Sequence, residues 1–243
     1  MFEDRAARPT TNGSLFPHGG ARRSSAEASR QLTERQCRDV LGAAQKALEI
    51  ERPFNRWITV LWERGGLADH GGTRATGAFL KLFGDWMRTY GEKACWVYTH
   101  EHGEENGVHL HLLLHVPVRL DAKFRVMPRR WTAGILPGGY VKQAVKSLKL
   151  TGGNSPDPYL RNLYLLRLRA KLHYMLKAAS KHVEASLDLS EWGEAEWGQV
   201  SLVYGKRSGC WQNWRRAGSP SLFTVADGSP LCGVASQTLE IGP

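Results

Sequence analysis

Gly107-Val108-His109-Leu110-His111-Leu112-Leu113-Leu114-His115 is the stretch on which the reading of this 243-residue chain turns. Aliphatic residues at 108, 110 and 112 alternate with histidines at 109 and 111, the period of an extended strand whose successive side chains point to opposite faces. His109 and His111 therefore share one face, while Val108, Leu110 and Leu112 pack from the other. Two neutral imidazoles side by side on a strand are ready to hold a divalent metal. Five of the nine histidines fall within residues 100–115, a clustering that composition alone does not produce.

Working outward, residues 94–101 form a second strand. Residues 103–107 form a polar turn too short for a parallel crossover, so the two strands make an antiparallel hairpin. Glu101 lies eight residues before His109, and in a tight hairpin the two sit opposite one another. Glu101 then completes a Glu-His-His set for Mg2+ or Mn2+. A mixed carboxylate and imidazole set with open positions suits a Lewis-acid role at phosphate. His100, His102 and His115 compete for the third place; His115 is in phase with the pair but further along, where it can stand behind the ligands. A histidine-triad hydrolase wants a further histidine at 113, which is Leu113. A cupin wants a glutamate close to Val116, where none stands.

The rest of the chain reads as an α+β protein with a central antiparallel sheet and helices packed on it. Residues 1–28 are a basic, Ser/Gly/Pro-rich arm expected to be disordered. Residues 29–52 carry an amphipathic helix, with Leu32, Val40, Leu41, Ala44 and Leu48 at helical spacing. The main domain spans 53–216. It holds a strand at 56–63 closed by Gly65-Gly66, a helix at 73–90 stopped by Gly91, and the hairpin. A short helix at 121–132, a strand at 140–150 with Val141 and Val145 inward, a loop at 152–158, a long helix at 159–182 and a strand at 199–204 follow. A Trp- and Arg-rich stretch runs to Arg216, and 217–243 are expected to be disordered.

Charge narrows the partner. The chain carries +10, and between Lys123 and Lys181 there are thirteen Lys or Arg against one acid, Asp157. Such a basic stretch points to nucleic acid ahead of a solvated surface. Four cysteines without Cys-x-x-Cys spacing argue against a zinc finger or a disulfide scaffold. No stretch approaches a transmembrane span and no apolar signal region opens the chain, so no membrane and a cytoplasmic location are expected.

A second constellation is Tyr174-Met175-Leu176-Lys177, followed by Lys181. On a continuous helix, offsets of three and seven share a face, setting a phenol beside two ammonium groups. A phenol ionises near pH ~10 and is a poor nucleophile at neutrality, but nearby positive charge favours phenolate. Taken alone, the pattern reads as a tyrosine at a core edge with two solvent lysines. Its weight comes from the metal pair upstream on a basic chain.

The order of these parts, strand 57–62, then His109-Leu110-His111, then Tyr174-x-x-Lys177, resembles the HUH endonucleases, in particular the rolling-circle replication initiators of bacterial plasmids and single-stranded replicons. The acid eight residues before the first histidine, here Glu101, is similar to the third metal ligand of some initiators. The resemblance covers about residues 55–181. It implies an HUH-type nuclease fold with its tyrosine on a helix. It also implies a metal, Mg2+ or Mn2+, held by His109, His111 and Glu101, with Tyr174 as nucleophile and Lys177 placing the phosphate. Lys181, Arg167, Lys171, Arg129 and Arg130 are then candidates for contact with single-stranded or hairpin origin DNA. No Gly-x-x-x-x-Gly-Lys-Ser/Thr pattern occurs, so a host helicase is implied. Ala170 and Ala178 stand one turn either side of Tyr174, which implies a single-tyrosine mechanism. A single-tyrosine transposase with the same order, and a non-catalytic DNA-binding module, are the alternatives.

Overall fold

The structure, a computed structural model, describes residues 27–67, 70–192 and 201–212. The strands are β1 (Ala28–Ser29), β2 (Arg56–Leu61), β3 (Trp96–Gly103), β4 (Gly107–Leu114), β5 (Val145–Lys149), β6 (Val203–Tyr204) and β7 (Ser208–Cys210). The helices are α1 (Glu34–Glu49), α2 (Gly71–Thr89), α3 (Asp121–Phe124), α4 (Met127–Ile135), α5 (Pro158–Leu176) and α6 (Lys181–Ser186). A five-stranded sheet in the order β5-β2-β4-β3-β7 forms the centre, and β1 pairs with β6 beside it. Every pairing between these strands is antiparallel, and the α+β architecture agrees with the expectation.

Alternation along the strands sorts the two faces. Cross-strand neighbours Trp57 and Leu113, and Thr59, His111 and Thr99, share one face with Glu101 and His109. On that face Trp57, Val97 and Leu113 pack against α1, α5 and α6 through Val40, Leu41, Leu168, Leu172 and Val183. Ile58, Val60, Tyr98, Leu110 and Leu112 look the other way, onto Phe79, Phe83, Phe124 and Trp131 of α2, α3 and α4. Each such side chain removed from water stabilises the fold by ~1.5–3 kcal/mol. The central β4 is buried along its whole length, which is why the face turned away from the histidines is continuously aliphatic.

The hairpin has the expected register, with Gly103 paired to Gly107 and Glu101 to His109. Gly107 takes a positive φ of 56°, and a Cβ there would run into the Glu63 side chain. Glu63 in turn accepts from the Val108 amide at 2.9 Å, which pins the turn to the end of β2. The N-terminus of α1 is closed by a reciprocal cap between Thr33 and Gln36.

Several sequence boundaries change. The expected helix over 159–182 is two helices, because residues 177–180 turn aside between α5 and α6. There the Leu32 amide takes the Ala178 carbonyl at 2.9 Å, and Ser180 caps α6 through the Val183 amide. The expected strand over 140–150 begins only at Val145, since Gly139 and Gln143 adopt positive φ. The expected helix over 121–132 is divided between α3 and α4. Ala28, placed by sequence in the arm, belongs to β1. Of the expected strand at 199–204, Val203–Tyr204 is a strand, and 199–200 lie outside the described residues. Most of the arm, residues 1–26, and the tail at 217–243 also lie outside them. Among the described residues no helix is long and apolar enough to cross a membrane.

Candidate metal centre and its tyrosine

Strand β3 supplies Glu101 and strand β4 supplies His109 and His111, and all three side chains are buried. The His109 Nε2 and His111 Nε2 stand 3.1 and 3.2 Å from the same carboxylate oxygen, Glu101 Oε2. One ligand atom from each residue lies within 4.8 Å of the others. His109 Nδ1 donates to the Gly107 carbonyl at 2.8 Å. A neutral imidazole has one N–H, so this bond leaves a lone pair on Nε2 aimed at a carboxylate. Two acceptors facing each other in a buried site call for a cation between them. His111 Nδ1 lies 3.3 Å from the Thr59 hydroxyl, which can serve either tautomer. The second carboxylate oxygen, Glu101 Oε1, is buried and has no hydrogen-bond partner among the described residues. The donor set and the unmatched oxygen fit a divalent cation.

The electrostatics point the same way. Burial pushes the Glu101 carboxyl up, but the contacts of its oxygen with His109 and His111 and the charge of Lys177 outweigh it and hold the group ionised, well below the usual carboxylate range. Burial lowers His111 despite its carboxylate neighbour, which favours the neutral ligand form. Lys177 Nζ lies 2.9 Å from Glu101 Oε2. Burial works against its charge, yet Glu101 and Tyr174 together raise its pKa, so it stays an ammonium group.

Tyr174 stands at the mouth of this group, near the C-terminal end of α5, with 43% of its surface exposed. Its ring meets His111 edge-on at 4.9 Å and Trp57 edge-on at 6.1 Å. Lys177 Nζ sits 4.2 Å from the ring centroid. The sequence-derived trio of Glu101, His109 and His111 is thus brought together with Tyr174 and Lys177. No family model, curated protein or solved structure matches the chain.

The other candidates separate. Lys181 leaves the stripe, because α5 ends at Leu176 and Lys181 opens α6. The basic stripe runs the opposite way along α5, toward its N-terminus. Lys171 lies one turn before Tyr174 with Nζ 5.1 Å from the Trp57 ring, and Arg167 lies a turn earlier, donating to Thr151 at 3.4 Å. Arg129 and Arg130 are exposed on α4, on the far side of the sheet from the triad. His115 donates to the Pro53 carbonyl at 2.8 Å, at the opposite end of β4 from the turn, instead of standing behind the ligands. Tyr164, ten residues before Tyr174 on α5, is buried and donates to the Phe54 carbonyl at 3.0 Å, which leaves Tyr174 as the tyrosine at the site.

Sequence reasoning missed Thr59 and Trp57 as walls of the site. The signal was present, since both belong to β2 and share the histidines' phase once the register is known. It also missed β7, whose Ser208-Gly209-Cys210 has no apolar alternation to announce a strand.

Proposed function

We propose that this chain is a metal-dependent single-strand DNA nickase and strand transferase that initiates rolling-circle replication. The observation that carries the reading is the seat of Tyr174: a half-exposed phenol whose ring touches a histidine of a buried Glu-His-His group, with an ammonium group on the ring. Glu101, His109 and His111 would hold a divalent cation such as Mg2+ or Mn2+, which would supply Lewis acidity at the scissile phosphate. The chain's residues do the rest. The Tyr174 oxygen attacks phosphorus, the bond from phosphorus to O3′ breaks, and the phenolic proton ends on the departing 3′-hydroxyl. The product is a 5′-phosphotyrosine bond, which a later 3′-hydroxyl reverses without ATP. Lys177, kept protonated, stabilises developing phenolate and phosphate charge, while Lys171 and Arg167 lead the strand along α5. Strand separation falls to a host helicase.

The test is covalent capture. Full-length protein with Mn2+ and a library of single-stranded origin segments is expected to give a DNA adduct that survives denaturation and maps to Tyr174. Tight DNA binding with no adduct on any segment would overturn the reading and leave a non-catalytic binding module.

A further inference from the structure

On the sheet face opposite the triad, a cleft of about 710 Å³ opens between β5, the end of β2, and the α3–α4 corner. Its volume lies in the range of small-ligand sites, roughly 300–1,000 Å³. Arg56, Arg125, Arg129 and Lys149 line it, with Asp121 as its one carboxylate. Asp121 is taken by two of these cations: it pairs with Arg56, and with Lys149 at 2.8 Å. Arg125 and Arg129 make no ion pair among the described residues, so the cleft carries a surplus of positive charge.

Arg56 makes this a built site. Its side chain is 5% exposed, its guanidinium lies 5.9 Å from the Phe124 ring, and Asp121 and the Asn55 carbonyl hold its donors. Beside this buried guanidinium stand two exposed arginines, Arg125 and Arg129, the latter 6.0 Å from the Tyr140 ring, and guanidinium groups of this kind bind phosphate. These groups fit a nucleotide unit, with phosphate on the exposed cations and the sugar or base against Val126, 48% exposed at the rim of the cleft.

Strand β5 joins the cleft to the triad's face. It is the edge of the sheet, and its side chains alternate. Lys146 and Leu148 are in register with Thr59 and Trp57, on the face of His111 and Tyr174, whereas Ser147 and Lys149 face the cleft. A nucleic-acid strand folded over this edge meets cations on both sides.

We propose that the cleft is a second nucleic-acid contact, holding a nucleotide of the strand that flanks the phosphate presented to Tyr174. It rests on the nickase reading for the placement of that first phosphate. The test compares fluorescein-labelled mixed-sequence single strands of about 8 and about 30 nucleotides, one within and one beyond the ~4–16-nucleotide site size of a single-strand-binding fold. Binding to the full chain is read by anisotropy across a salt series in EDTA, so no nicking is required. For wild type the salt slope is expected to be steeper on the longer strand by about 1.4, the value for two extra phosphates on a single strand.

In Arg125→Glu/Arg129→Glu that excess disappears. Affinity for the longer strand is expected to fall about tenfold, and for the shorter strand less than about twofold. Arg125→Gln/Arg129→Gln, expected to fall between the two, decides the matter if the Glu variant does not fold. Equal losses at both lengths, or no loss at either, overturn the proposal. So does millimolar inorganic phosphate erasing the wild-type length effect, which would make the cleft a small-anion site. The adduct assay is scored separately: adduct without a length effect overturns the cleft alone, and a length effect without adduct overturns the nickase alone.

Discussion

His100 and the pair His109/His111 occupy neighbouring strands of one sheet, and all three are buried, yet they do opposite things. His100 faces the aromatic layer. Its Nδ1 donates to the Lys206 carbonyl at 2.9 Å and its Nε2 accepts from Thr76 at 2.7 Å, while Thr76 accepts from the Trp62 indole at 3.0 Å. Every polar atom in that chain is matched with its complement, and burial pushes His100 down to about 4, so it is neutral. Across the sheet, two imidazoles converge on one carboxylate oxygen and leave the other oxygen bare. Burial does not distinguish a structural histidine from a ligand. The balance of donors and acceptors does, because a saturated ring has nothing left to offer a cation.

The sharpest way to break this contrast is Tyr174→Phe. If the triad's face is the reactive one, adduct formation falls by more than about 1,000-fold on a denaturing gel, because the attacking oxygen is gone. A surviving adduct would move the chemistry elsewhere. Next, Glu101→Gln removes the shared negative charge and is expected to weaken Mn2+ binding by calorimetry at least about 100-fold. His100→Ala is expected to leave that affinity within about twofold; equal losses in the two variants would erase the distinction.

His100→Ala belongs to stability instead. Cutting the chain between Thr76 and Lys206 leaves buried groups unmatched and a cavity, for an expected loss of about 2–3 kcal/mol in denaturant unfolding.

The same ring gives a pH signature. Its folded pKa lies below the unfolded value of about 6.5, so the unfolded chain takes up the proton first as pH falls. Stability conferred by the neutral ring is present above that value and is lost toward pH ~4, with roughly 2 kcal/mol gone between pH 7 and 5. The drop is expected to shrink in His100→Gln; an unchanged drop would assign it to other groups. Smallest of all, Lys171→Ala is expected to weaken single-strand binding about two- to fourfold and to reduce the salt slope by about 0.7, one phosphate contact.

The parts of this contrast that sequence can show are those written in a single strand. Alternation at 107–115 placed two histidines together, and the five-residue turn placed Glu101 beside them. The helix break after Leu176 was hidden, because Ala178 and Ala179 fit a helix as well as a turn. What breaks the helix is a backbone bond to Leu32, far away in the chain. Lys181 was therefore assigned to a face it does not share, while Lys171 and Arg167, on the true continuation of the stripe, gained weight only from the structure. The short strands β1, β6 and β7 exist by pairing with remote partners, and two or three residues carry no period of their own.

The bond from the Leu32 amide to the Ala178 carbonyl also sets where this protein can be cut. A version trimmed to begin at Glu34 would retain the whole five-stranded sheet and all of Glu101, His109 and His111. It would nonetheless lose the clasp just beyond the end of α5, four residues past Tyr174, and the Ser29 groups that hold the buried Arg207. Such a truncation is expected to bind metal normally while its tyrosine drifts. A minimal fragment that keeps Tyr174 in its place therefore has to start upstream of Ala28, and affinity tags belong further out still.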